Sequence, residues 1–142
     1  MSEPLYNSEI LRLATATAGF ARLSEAGGTA EKRSPVCGSR VTVDVILDHA
    51  RAVASVGIEA RACALGQAAT ALMAENATGK TLAEIESARD GLSAYLAGDR
   101  EDPGSWPGLE IFAPARKHRA RHASILLAFE AAAEAVQLAQ SK

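Results

Sequence analysis

Cysteine is scarce in this chain: only Cys37 and Cys63 stand among its 142 residues. A pair so far apart excludes the disulfide framework that staples small secreted domains, and leaves the two thiols free for metal binding, sulfur handling or redox chemistry. Aromatic residues are few as well, at 4%, which removes the stacking platforms that single-stranded nucleic acid needs. No apolar run approaches the roughly 20 residues that cross a bilayer, and the opening MSEPLYNSEI lacks the basic, apolar and small-residue succession of a secretory signal. The expected compartment is the cytoplasm, with no membrane and no nucleic acid among the partners. Neither sign of charge dominates, the net being -2, and there is no internal repeat.

What is present reads as one domain, 1–142, with a single core: hydrophobic residues make up 48% and charged residues 23%. Asn7 or Ser8 caps a helix with Ile10, Leu11, Leu13 and Ala14 on its apolar stripe, ending at Gly19. A loop follows, then a short edge strand over 29–33 and a turn at Ser34 and Pro35. Val41, Val43, Val45 and Leu47 alternate with Thr42 and Asp44, the pattern of a half-buried strand. After an interruption at 48–51 a return strand covers 52–62, with a bulge or bend expected at Gly57. Helical spacing resumes from Ala64, with Gly79 as a stop, and Thr81 with Glu84 forms a capping box for a further helix ending at Gly98. Residues 99–114 hold three of the five prolines and the single Trp106, a loop with packed anchors. The longest helix is expected from about 114–117 to Gln140. Its first turns would carry Arg116, Lys117, His118, Arg119, Arg121 and His122, where cations oppose the helix dipole. Such a cluster is either a solvated face or a surface for an acidic partner. The fold class that results is α+β: a three-stranded antiparallel sheet packed against about four helices.

The hairpin between the cysteines has arms of similar length, so its outer ends, and with them Cys37 and Cys63, can meet in space. Cys63 falls where a strand gives way to a helix, and there backbone N–H groups and the helix dipole favour negative charge on sulfur. Cys37 falls in a Pro-Val-Cys-Gly turn, where Gly38 allows the backbone to bend closely around a ligand. Two thiolates are fewer than the three or four protein ligands of most metal sites. Two thiols within about 7 Å between Cα atoms could also cycle between dithiol and disulfide.

Three stretches, SPVCGSRVTVDVIL, RACALGQAATALMAENATGK and ARHASILLAFEA, together resemble the NifU N-terminal, IscU and SufU group of iron-sulfur cluster assembly scaffold proteins. The resemblance runs over about residues 5–135 and keeps order and spacing. It implies a small antiparallel sheet against helices, a zinc ion or nascent iron-sulfur cluster held at one end of the molecule, and a cysteine desulfurase and acceptor apoproteins as partners. Cys37 matches the first cysteine of the group and Cys63 the second, so the implied ligands for zinc, iron or a labile cluster begin with this pair.

The departures are chemical. Where the group has Cys-Gly-Asp this chain has Cys37-Gly38-Ser39, a neutral hydroxyl in place of a carboxylate. The third cysteine is missing: one register places Ala123 at its position beside His122, the other places Ser124 there. The Asn-Pro-Arg-Asn segment is absent after Leu13, and Ala113 to Lys117, APARK, stands where one branch has Leu-Pro-Pro-Val-Lys. An imidazole is a good ligand for zinc or iron and a serine hydroxyl a poor one. His122 and Ser124 are therefore the two candidates for a third ligand, with His118 one turn away as a supporting group. Three functions follow: a scaffold binding metal or cluster through Cys37 and Cys63, a SufU-like zinc-dependent sulfurtransferase accepting persulfide sulfur, or a binding module of the same fold without that chemistry.

Overall fold

Antiparallel pairing of β1 (Gly28–Arg33), β2 (Arg40–Leu47) and β3 (Val53–Arg61) in the order β1-β2-β3 forms the sheet, a meander in which β2 is the middle strand. The computed structural model describes residues 7–35 and 38–141. Four α-helices accompany the sheet: α1 (Ser8–Ala16), α2 (Ala64–Asn76), α3 (Leu82–Ala97) and α4 (His122–Gln140). The expected α+β architecture is the one that forms.

Local chemistry accounts for the helix ends. Asn7 Oδ1 accepts from the Ile10 amide at 2.9 Å and starts α1. Thr81 and Glu84 cap each other's backbone N–H groups to start α3, and Gly98, at φ 87°, closes it with its amide on the last carbonyls. In α4, Ala128, Ala131, Ala132, Ala133 and Ala135 are all buried. Small side chains let this helix lie close against β1, β2, α2 and α3 at once. A Cβ on Gly28 would collide with the Ala135 carbonyl, so the first residue of β1 must be glycine for α4 to sit where it does.

Three expectations are corrected. The polar side of β2 does not face water: Asp44 is 0% exposed and Thr42 8%. Arg22 Nε donates to Asp44 Oδ2 at 2.6 Å, Thr29 Oγ1 to Oδ1 at 2.6 Å and the Leu23 amide to Oδ2 at 3.0 Å. The loop before β1 is thus fastened over the sheet's second face by one carboxylate. Second, the register shift lies between Ile46 and Leu47, next to the turn, and Gly57 pairs regularly with Asp44. Gly57 is needed because a Cβ there would come within 2.6 Å of the Ala21 carbonyl and 2.8 Å of the Leu23 amide of that same loop. Third, α4 starts at His122, not at 114–117. Leu109–Lys117 and Arg119–Arg121 are 3-10 turns ahead of it, with Pro114 inside the first. The basic residues 116–121 thus precede the α-helix instead of opposing its dipole from within. The anchors of the long loop are Phe112, fully buried, and Trp106, which meets Phe129 edge-on at 5.2 Å and donates its indole N–H to the Leu72 carbonyl at 3.0 Å.

Candidate functional site

One end of the sheet is marked by Arg33, Arg40 and Arg61, which pair across the three strands. Both segments that carry the cysteines leave from this end. Between β1 and β2 the chain turns tightly: the Ser34 amide donates to the Ser39 carbonyl at 2.9 Å, the Gly38 amide to the Ser34 carbonyl at 3.1 Å, and Gly38 takes φ 74°. Cys37 belongs to this turn in sequence and lies outside the described residues. Ser34 Oγ is buried there without a hydrogen-bond partner among the described residues.

Past the end of β3, Cys63 is the N-cap residue of α2, with extended backbone (φ -65°, ψ 171°) and a half-buried side chain that makes no capping hydrogen bond. Its sulfur instead meets Ser124 Oγ at 3.4 Å. Ser124, in the first turn of α4 and 1% exposed, is in turn 3.1 Å from Ser39 Oγ. A thiol and two hydroxyls from three remote segments thus form one hydrogen-bonded row at the sheet's end. Gly66 makes the row possible: a Cβ on it would stand 2.5 Å from Ser124 Oγ and 2.8 Å from Ala62 Cβ, so only glycine admits the start of α4 this close to the start of α2.

The other expected residues lie as follows. Of the two registers for the missing cysteine, it is Ser124 that meets Cys63. The half-buried His122 places Nε2 2.9 Å from the Ala115 carbonyl, so that nitrogen carries the proton and in the neutral ring Nδ1 holds the lone pair. His118 is exposed. Ser39 joins the site although it is not among the candidate ligands of the sequence; its mark there is its place two residues after Cys37, where the resembling group has a carboxylate. Gly66 carries no sequence signal at all, because its function depends on a helix that begins far along the chain.

Among the described residues no three His, Cys, Asp or Glu side chains converge on a point where a metal ion could sit. Cys63 is their one soft donor here, and the hydroxyls of Ser39 and Ser124 are neutral and hard. This set, even with a second thiolate, suits an ion or cluster held by few protein ligands and open to exchange, not a closed four-ligand structural zinc site. A cleft of about 480 Å³ lies elsewhere, between β1, α3 and α4. Its charges are largely matched: Lys32 pairs with Glu134 at 3.1 Å and Arg89 with Asp90 at 2.9 Å, and burial raises the Glu130 carboxyl against the pull of Lys32 and Arg89.

Comparison with known proteins adds to this geometry. The family model of the NifU-like N terminal domain matches residues 5–99. The crystal structure of a nitrogen-fixing NifU-like protein (N-terminal) from Brucella abortus superposes with a TM-score of 0.90 at 35% identity, over 97% of this chain and 96% of that one. A candidate iron-sulfur cluster assembly scaffold protein for the SUF system from Fervidobacterium islandicum AW-1 shares the fold at a TM-score of 0.81 and 22% identity, over 93% of this chain and 96% of its own. No curated protein matches.

Proposed function

This chain belongs to the NifU-like N-terminal domain family, and from that premise we propose that it is a scaffold in iron-sulfur cluster assembly, holding iron, zinc or a labile cluster as transient cargo through Cys37 and Cys63. A cysteine desulfurase would supply sulfur and acceptor apoproteins would take the product. The observation that carries the reading is the row from Cys63 Sγ through Ser124 Oγ to Ser39 Oγ, at 3.4 and 3.1 Å. It joins the segment just after Cys37 to Cys63 through Ser124, and on this reading the two hydroxyls stand in for the carboxylate and third thiolate that the resemblance implies. Two thiolates with neutral neighbours bind cargo weakly enough to release it. His122 would join as a ligand through Nδ1, its orientation fixed by the bond to Ala115. The experiment is anaerobic loading with ferrous iron and sulfide, and separately with zinc, followed by metal analysis. Wild type should retain metal, and Cys37→Ala and Cys63→Ala should each lose most of it; retention unchanged in both variants rejects the site.

A second reading rests on Cys63 alone, a half-exposed thiol at the start of a helix. Its thiolate would attack the outer sulfur of a donor persulfide, the donor's S–S bond would break, and the donor would leave as a thiolate while Cys63 keeps the sulfur. Mass spectrometry after incubation with a desulfurase and cysteine should then show a gain of about 32 Da on Cys63, the mass of one transferred sulfur atom. Absence of that adduct under turnover removes this reading and leaves the first intact.

A further inference from the structure

We propose that the basic ledge Lys117 to Arg121, exposed from Lys117 to Ala120 and half-buried at Arg121, is a docking surface for an acidic segment of a partner protein, placed to bring that partner to Cys63. Most of the chain's cations are already engaged. Arg12, Arg22, Lys32, Arg33, Arg40, Arg61, Arg89 and Arg116 each face a carboxylate. Lys80 lies over the Trp106 ring, Arg51 donates to the Gln140 carbonyl, and Arg100 is flanked in sequence by Asp99, Glu101 and Asp102. Lys117, Arg119 and Arg121 have no ion pair or side-chain hydrogen bond among the described residues, and no acidic residue interrupts the stretch. Three unmatched positive charges in five positions, on a chain of net charge -2, are a local field against the global sign.

The backbone at the base of the ledge is anchored. Arg116 anchors its base, with the guanidinium 4.4 Å from the Tyr95 ring and donating to the Tyr95 and Arg100 carbonyls at 2.8 and 2.9 Å. Ala115 beneath is fully buried, and its carbonyl receives both the His118 amide and the His122 ring. From Arg121 the chain enters α4, and Ser124, less than one turn on (about 5.4 Å), touches Cys63. The ledge thus runs directly into the helix whose first turn meets Cys63 through Ser124. Three charges and almost no aromatic surface suit an Asp- and Glu-rich peptide better than a nucleic acid strand. That the partner brings sulfur or removes cargo rests on the scaffold reading; the docking does not.

The test uses the full chain and three probes: a fluorescein-labelled peptide alternating Glu and Gly, an oligothymidylate of equal charge, and anionic lipid vesicles. The peptide should bind most tightly, weaken as salt rises, and lose roughly tenfold or more in affinity in a Lys117→Glu, Arg119→Glu, Arg121→Glu variant. An Arg12→Glu, Arg51→Glu variant, with the same kind of change away from the sheet end that bears the cysteine segments, should keep binding within about twofold, and melting curves should match across all three proteins. A peptide carrying a 2-pyridyl disulfide at one end should also label Cys63 faster in wild type than in the triple variant, with pyridine-2-thione leaving. Cys63→Ala should lose metal yet keep peptide affinity, so failure of the scaffold and failure of the ledge give different results. No binding at low salt, equal loss in the control variant, unchanged binding in the triple variant, or tighter binding of the oligonucleotide or vesicles would each overturn the proposal.

Discussion

Under the proposed scaffold reading, Ser124 is the residue on which metal retention would turn. Its hydroxyl lies between the Cys63 thiol and the Ser39 hydroxyl, where a single atom change would add a thiolate. Ser124→Cys should therefore tighten zinc retention by about tenfold or more, worth about 1.4 kcal/mol, measured by competition with a chromogenic chelator. Ser39→Asp should act in the same direction by restoring a carboxylate. Unaltered affinity in both would mean that the row does not face the cargo. Asp44 supports a prediction of a different kind. Burial raises its carboxyl, but the hydrogen bonds from Arg22, Thr29 and the Leu23 amide outweigh burial and leave it below the ordinary 3.8. Its folded form therefore holds its proton less readily than its unfolded form. The stability it confers is complete above the ordinary carboxylate range and is lost as pH falls below 3.8 towards the lower folded value. Asp44→Asn should cost about 2–3 kcal/mol at neutral pH, with the gap to wild type closing in urea titrations below about pH 4. The place of Cys63 between a strand and a helix could be read from the local pattern, whereas the contact of Ser39 with Ser124 could not, because the two stand 85 residues apart.

At the scale of elements, glycines at crossings decide how closely the helices and loops approach. Gly66→Ala would force Ser124 Oγ away from a Cβ at 2.5 Å and shift the first turn of α4 off α2. The expected cost is about 1–3 kcal/mol of stability, together with a fall in metal retention, both readable on the same purified protein. Should Gly66→Ala melt like wild type and load metal normally, the close crossing is not what builds the site. The sequence made the strands, the capping box of α3 and the closing Gly98 readable because each depends on residues within a few positions of one another. It misled about the start of α4, since the apolar spacing continues back through Phe112 and Ala115, both buried, while the backbone there is wound as 3-10 turns. It also misled about Asp44, because an alternating strand shows which residues share a face and not whether a distant loop will cover that face.

For the molecule as a whole, the matched ion pairs and the unmatched basic ledge predict opposite responses to salt. Most ion pairs are exposed at the surface and contribute little to stability, so melting temperature should change by only a few degrees between low and moderate salt. Partner binding at the ledge should fall steeply over the same range. Thermal melts and binding isotherms recorded in one salt series check both, and parallel changes in the two would be the contrary result. No helix among the described residues is long and apolar enough to cross a membrane.

The row at the sheet's end joins residues 39, 63 and 124, the last from the helix that is synthesised after every other element. A ribosome emits a chain from its N-terminus at about 5–20 residues per second, so for several seconds the emerging polypeptide carries Cys63 with no hydroxyl beside it. Throughout that interval the thiol lacks the contact with Ser124 that the folded chain gives it. On the scaffold reading, translation would thus time when this protein becomes competent to accept a load.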